Sequence, residues 1–249
     1  MRAIGTNALP FWVKMLGCTN DSSFRAGLNA DFGRKLKFHF TTAEDRRYLG
    51  QCAFYILGED GKSAISSLSE LLNDFQTCAL ATVALAGLGP EGLTAITNAL
   101  SNPKDPCRFW IAASLGNCAK PPNFYALERQ GYGPWEPPTF VTRVLVPALI
   151  NCLKEDDLNL RVFSAQSLGF LAKEPARVVP ALTDLLQRDT NAVTRVTTIT
   201  ALGRFGSAAK PARPEINRYL QDPDPLLRGS VTKALEQIGP EAATAAGVK

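Results

Sequence analysis

Apolar residues recur along this chain with a helical period, and the helices they predict come in pairs. In VVPALTDLL, Val178, Leu182, Leu185 and Leu186 fall at i, i+4, i+7 and i+8, one face of an amphipathic helix. AISSLSELL places Ile65, Leu68, Leu71 and Leu72 in the same way. A polar turn follows such stretches (QRDTNA, KEDDLN, QDPDP), and its Asp and Asn residues suit helix N-caps. A second helix comes next, with Val193, Val196, Ile199 and Leu202 as its expected apolar stripe. Small residues in the second helices (Ala112, Ala113, Ala165, Ala201 and Ala234) allow close helix contact. Pro180 and Pro214 are expected in the first turns of first helices, where a missing N–H is tolerated.

The pairs repeat. Aligning TRVTTITALGRFG (194–206) with LRGSVTKALEQIG (227–239) sets Arg195 over Arg228 and Leu202 over Leu235. Extended towards the N-terminus, the register passes from Gly239 and Gly206 through Ala172, Ala119, Gly89, Gly58 and Gly5, at spacings of 33, 34, 53, 30, 31 and 53. Each spacing of 53 is one repeat plus an insertion of about twenty residues. Arginine stands eleven residues before the anchor at Arg47, Arg108, Arg161, Arg195 and Arg228, and Cys78 alone breaks the column. Glycine at several anchors suits the left-handed conformation that ends a helix. Neither helix of a pair can bury its stripe alone, so neighbouring pairs must stack, which predicts an all-α one-dimensional solenoid.

An apolar helix, an Asp/Asn-rich turn, then an arginine and an Ala-rich helix ending in A-L-G-x-x-G resembles the HEAT repeat. The pattern is most similar to the short HEAT-like repeats first described in phycobilisome lyases and widespread in bacterial scaffold proteins. The resemblance covers most of 1–18 and 43–249, although the copy at 75–104 is degenerate. It implies a right-handed, armadillo-type α-solenoid of about six to seven hairpins, a single domain over 1–249 with insertions at about 19–42 and 120–143. Such solenoids mostly bind other macromolecules, so the implied function is a non-enzymatic protein-binding scaffold working through its concave face, the aromatic-proline insertion, or both. A nucleic-acid groove like that of HEAT-like DNA glycosylases is the alternative, and a bilin-lyase-like role is a weaker one.

Composition narrows the classes further. The chain has 249 residues, 45% hydrophobic and 20% charged, which excludes a disordered or collagen-like chain. The longest apolar stretch, CALATVALAGLG from Cys78, is too short to span a bilayer. Net charge by segment is +4 for 1–50, −4 for 51–157, +5 for 158–220 and −1 for 221–249. A nucleic-acid groove requires one continuous basic stripe, and the acidic middle argues against it. Trp110 beside Arg108 is the one pair suggestive of a glycosylase groove.

The insertions hold the candidate contacts. In KPPNFYALERQGYGPWEPPTFVTR (120–143), Tyr132 and Trp135 sit in a Gly/Pro frame that restricts chain entropy, and Phe124 and Tyr125 lie nearby. Long segments of this kind carry partner contacts or fold back to close the gap between repeats. Tyr and Trp are enriched among interface hot spots, which makes these four residues the expected partner-binding set. The first insertion contains RKLKFHF (34–40), a basic-aromatic run that either stacks on nucleic acid or covers a solenoid edge.

Chemistry is sparse. His39 is the only histidine, so a Ser-His-Asp, Cys-His or His-containing zinc site has one candidate and no motif around it. The six cysteines (18, 52, 78, 107, 118, 152) contain no C-x-x-C pair and read as reduced thiols, favouring a cytoplasmic setting. A periplasmic or membrane-tethered setting would follow from an upstream signal or anchor. Met15-Leu16-Gly17-Cys18 only faintly resembles a lipoprotein cleavage site, because Lys14 interrupts the apolar run. No phosphate-binding glycine loop is present. Glu155, Asp156 and Asp157 sit in an inter-helix turn, where capping explains them. The reading is therefore no catalytic, metal or cofactor site. The arginine column is read as an internal ladder, its partners the turn acids Asp105, Asp157, Asp189 and Asp224. The first helix, ALPFWVKML, follows the start so closely that self-association through it is a further possibility.

Overall fold

The computed structural model describes residues 5–17, 50–51, 53–54, 57–117 and 139–239. All regular elements among them are helical: eleven α-helices and four 3-10 segments. The α-helices are α1 (Leu9–Leu16), α2 (Ile65–Glu70), α3 (Cys78–Ala86), α4 (Pro90–Ser101), α5 (Arg108–Asn117), α6 (Thr139–Cys152), α7 (Leu158–Leu171), α8 (Pro175–Arg188), α9 (Ala192–Arg204), α10 (Arg213–Asn217) and α11 (Pro225–Ile238). The chain divides into two compact units, Met1–Ile111 and Ala112–Lys249, and the boundary falls within α5.

In the C-terminal unit the pairs α6/α7, α8/α9 and α10/α11 are the hairpins. The most extensive contacts are those of α9 with α7 and with α11, so the second helices form one continuous layer. Leu168, Ile199, Leu202 and Leu235 are fully buried in it, and Val178, Leu182, Leu185 and Leu186 of α8 are buried as the periodicity requires. Fully burying a side chain of this kind stabilises by about 1.5–3 kcal/mol, which an isolated hairpin could not achieve.

Two sequence expectations need correction here. Val193 is 57% exposed, not part of the buried stripe of α9. Packed on three sides, α9 buries Thr194, Thr198, Ile199, Ala201, Leu202 and Gly203, and Val193 falls on the strip left open. Pro180 lies inside α8, whose first residue is Pro175. The turn before that helix is sharpened by Ala172 and Glu174, both left-handed (φ 45° and 51°), which lets the helix begin five residues earlier than expected. Pro214 does occupy a first turn, that of α10. Residues 139–143, counted above with the second insertion, form the start of α6 directly after Pro138.

The N-terminal unit has shorter elements. Its first-helix stretch at 58–73 is divided into a 3-10 segment (Gly58–Ala64), the six-residue α2 and a second 3-10 turn (Leu71–Asn73). Gly58 and Gly89 have positive φ (53° and 88°) at their anchors, as Gly206 does (55°) in the other unit. Lys62 pairs with Glu91 at 2.9 Å and with Glu59 at 3.4 Å, tying the 3-10 segment to the start of α4.

Candidate functional site

Two sets of contacts fix the second helices of the C-terminal unit, and together they leave one face open. The first set is in the turns. Asp157 caps α7 by accepting from Leu160 N at 3.0 Å, Asn191 caps α9 from Val193 N at 2.9 Å, and Asp224 caps α11 from Leu226 N at 2.8 Å. Each cap satisfies an N–H that the helix itself cannot. The column arginine, four residues on, folds back over the same turn. Arg161 Nη1 donates to Glu155 O and Asp156 O, both at 2.8 Å, and Arg228 Nη1 donates to Asp222 O and Pro223 O at 2.6 and 3.0 Å. Arg195 Nε donates to Asp189 O at 3.0 Å.

Asp189 links two of these turns. Its Oδ2 accepts from Arg161 Nε at 2.7 Å, its carbonyl from Arg195, and its Oδ1 from Asn191 N at 2.8 Å. Burial alone would raise the Asp189 carboxyl, but the Asn191 N–H and the Arg161 guanidinium outweigh it and hold the group below its ordinary value. In the N-terminal unit Arg108 is buried and its Nε donates to Leu100 O at 2.7 Å, while Asp105 accepts from Cys107 N at 2.8 Å. Arg161, Arg195 and Arg228 therefore direct donors at main-chain carbonyls, and Arg161 also at the Asp189 carboxylate. Arg47 lies outside the described residues.

The second set is in the helix layer. A Cβ on Gly169 would lie 2.8 Å from Ala201 Cα, and one on Gly203 would lie 3.0 Å from Ala234 Cα. A Cβ on Gly116 would lie 2.9 Å from Ser167 Oγ. Glycine at one position of α5, α7 and α9 thus faces a small residue two places before the same position in the next second helix. Ser167 does more than fit. Its hydroxyl donates to Ala112 O at 2.6 Å and accepts from Gly116 N at 3.0 Å, entering the hydrogen-bond ladder of α5 while fully buried. Nothing in the sequence reading singled out Ser167; the signal was its place in S-L-G, which aligns with A-L-G at 201–203.

The strip left open follows i, i+4, i+7, i+11. It carries Asn159, Phe163, Gln166 and Phe170 on α7; Val193, Thr197, Thr200 and Arg204 on α9; and Leu226, Ser230, Lys233 and Gln237 on α11. Phe170, Val193 and Leu226 are 47%, 57% and 74% exposed. The Arg204 guanidinium lies over the Phe170 ring, 3.7 Å from its centroid, and burial lowers the Arg204 pKa. Between α9 and α11 is a small cleft of about 70 Å³ lined by Thr200, Arg204, Ser230, Lys233, Ala234 and Gln237. No acidic residue stands on this strip. Sequence reasoning missed it, because the strip is mixed in polarity and only the register of the repeats isolates it.

The other sequence candidates divide simply. Tyr132, Trp135, Phe124 and Tyr125 lie outside the described residues, as do His39 and the basic run 34–40. Trp110, in the N-terminal unit, is 43% exposed and its ring is 5.2 Å from that of Phe109. Cys78, Cys107 and Cys152 are buried and form no disulfide with one another. Burial, followed by the neighbouring Cys107 thiol, pushes Cys78 up to about 12. Among the described residues no three His, Cys, Asp or Glu side chains are grouped to hold a metal ion, and no helix is long and apolar enough to cross a membrane.

Comparison with known proteins agrees with this architecture. Residues 179–246 match the family profile described as HEAT repeats. No curated protein sequence matches the chain. Among solved structures, Kap121p superposes with a TM-score of 0.55 at 13% identity, covering 99% of this chain and 26% of that one. The complex of CpcE and CpcF of phycocyanin lyase from Nostoc sp. PCC7120 gives a TM-score of 0.49 at 23% identity, covering 73% of this chain and 68% of that one. A computationally designed armadillo repeat protein for modular peptide recognition gives 0.45 at 14% identity, covering 93% and 100%. HEAT repeats generally mediate protein interactions. Residues 179–246 thus carry HEAT repeats, and the paired helices with arginine-stapled turns give the chain an α-solenoid fold similar to that of Kap121p.

Proposed function

We propose that the chain is a non-enzymatic interaction scaffold that binds a protein partner through the open strip of its second helices, its aromatic-proline segment at 120–143, or both. The observation that carries this reading is the strip itself. It presents Phe170, Val193 and Leu226 to solvent in three successive second helices, although each could be polar without cost to the core. Exposed apolar side chains at the two ends of one strip on a rigid layer, Val193 and Leu226 at its start and Phe170 at its far end, form a surface that binds by shape and by avidity over several repeats, with no bond-making step. The arginine column supports the same reading, because its donors are engaged within the turns and are poorly placed to neutralise a polyanion.

Affinity capture from lysate tests it, comparing wild type with Tyr132→Ala/Trp135→Ala and with Phe170→Ala/Leu226→Ala. Retention of a specific protein by wild type, and its loss in one or both variants, is the expected result and assigns the contact to the insertion or to the strip. If only nucleic acid is retained, and salt releases it, the scaffold reading is wrong.

A further inference from the structure

We infer that the cleft between α9 and α11, with Arg204 and Lys233 at its edge and Phe170 beside it, receives a carboxylate side chain of an extended acidic peptide. The inference rests on the scaffold reading and names its partner's chemistry. Arg204 and Lys233 are the two cations on the open strip, and neither has a hydrogen bond or ion pair among the described residues. Four arginines of the unit have an acid of their own, Arg161 with Asp189, Arg177 with Glu174, Arg188 with Asp184, and Arg218 with Glu215, whereas Arg213 Nε is buried without a hydrogen-bond partner among the described residues. Arg204 is also partly desolvated with no carboxylate to offset it. A desolvated cation facing a small cleft without an acid favours an anion from outside.

Three further features narrow the ligand. Stacking on Phe170 holds the guanidinium plane in place, so little side-chain freedom remains to be lost on binding. The Thr200 and Ser230 hydroxyls already donate to Val196 O (2.8 Å) and Leu226 O (2.9 Å), which leaves Arg204, Lys233 and the Gln237 amide as the donors. Two cations match one or two carboxylates, whereas a nucleic-acid strand would need a longer row of phosphate contacts. Phe163 and Phe170 on α7 continue the strip on the side away from Lys233, so an apolar residue next to the acid has a place to lie.

The test is NMR titration of the ¹⁵N-labelled full chain with two capped pentapeptides, phenylalanine flanked by glutamates and its glutamine counterpart. With the glutamate peptide, the Arg204 Nε–H signal and the amides of 200–204 and 230–237 are expected to shift. The glutamine peptide is expected to bind about tenfold more weakly, the loss of a charge-assisted contact. Arg204→Gln/Lys233→Gln should weaken glutamate-peptide binding by a similar factor, and Arg177→Gln on α8 should leave it unchanged. Equal binding of the two peptides, no shift with either, or unchanged binding by the double variant overturns the inference. So does an oligothymidylate that shifts the same signals at lower concentration. The peptide pair needs no variant to fold, and thermal melts check the variants. Capture of a protein partner equally by wild type and by Arg204→Gln/Lys233→Gln would leave the scaffold standing and remove only the acidic-peptide assignment.

Discussion

In the N-terminal unit α3 solves the same joint in the opposite way from the second helices of the C-terminal unit. In the C-terminal unit the register position in the first turn of α7 and α9 holds Arg161 and Arg195, and charged hydrogen bonds through Asp189 close the turns. At α3 in the N-terminal unit that position holds Cys78, fully buried, and a neighbour it meets is the thiol of Cys107 in the following turn. The second helices differ accordingly. Those capped by Asp157, Asn191 and Asp224 run for 14, 13 and 14 residues. Thr77 makes no cap bond to α3, its hydroxyl instead donating to Leu71 O at 2.8 Å, and α3 runs for nine. Close approach is also arranged differently. Gly169 and Gly203 bring successive second helices together, whereas Gly92 brings α4 against the end of α3, where a Cβ would lie 2.1 Å from Leu85 O. A polar turn and a glycine seam between second helices go with the long α7, α9 and α11; a dry thiol contact and a glycine on the following first helix go with the short α3.

The largest expected effect that sharpens this contrast is chemical. With its pKa near 12, Cys78 is almost entirely protonated at pH 8, so alkylation in the folded protein should be about a thousandfold slower than for an ordinary thiol. Iodoacetamide labelling read by peptide mass spectrometry checks this. Labelling of Cys78 at the rate seen in urea would show that the joint is open.

Next is Gly169→Val, which forces a side chain into Ala201. It should cost about 3 kcal/mol or more in urea unfolding, while Gly229→Ala, with nothing within 4 Å, should gain about 0.5–1 kcal/mol. Equal effects would refute the glycine seam.

Asp189→Ala should cost about 2–3 kcal/mol, because it leaves the mostly buried Arg161 without its acid, whereas Lys62→Ala at the solvent-screened pair should leave the urea midpoint unchanged. The pH dependence has a definite sign. Since the Asp189 carboxyl is held low in the folded state, its contribution is complete above the ordinary carboxylate range and is lost as pH falls through the lower, folded value. Asp189→Asn should flatten the acid limb of stability, measured by urea midpoints across pH 3–6. The smallest effect expected is a gain of up to about 1 kcal/mol from Ala172→Gly, which relieves a left-handed alanine at a helix end.

The repeat period, the arginine register and the turn acids were legible because each depends on local chemistry. A cap needs Asp or Asn beside a helix start, and a stapling arginine needs a fixed offset from it. Val193 was misplaced because periodicity assigns one buried face to a helix, while a helix in a stacked layer is covered on three sides. Pro180 was misplaced because the helix start was set upstream by left-handed Ala172 and Glu174, residues with no glycine-like signature. Ser167 was invisible because its partner is a main-chain N–H, which has no letter in the sequence. The Arg204–Lys233 cleft joins residues 29 apart and emerges only when α9 and α11 are set side by side.

The two-residue offset between a packing glycine and a packing small residue makes each second helix both donor and recipient of the same contact. α9 offers Gly203 to Ala234 and Ala201 to Gly169, so a hairpin duplicated in place would meet mating surfaces already built on either side. Lengthening such an array calls for no newly invented interface. In α11 the glycine position holds Glu236, exposed and charged, which could not repeat that contact with a further helix. Among the described residues the glycine seam thus has its edge at one charged side chain.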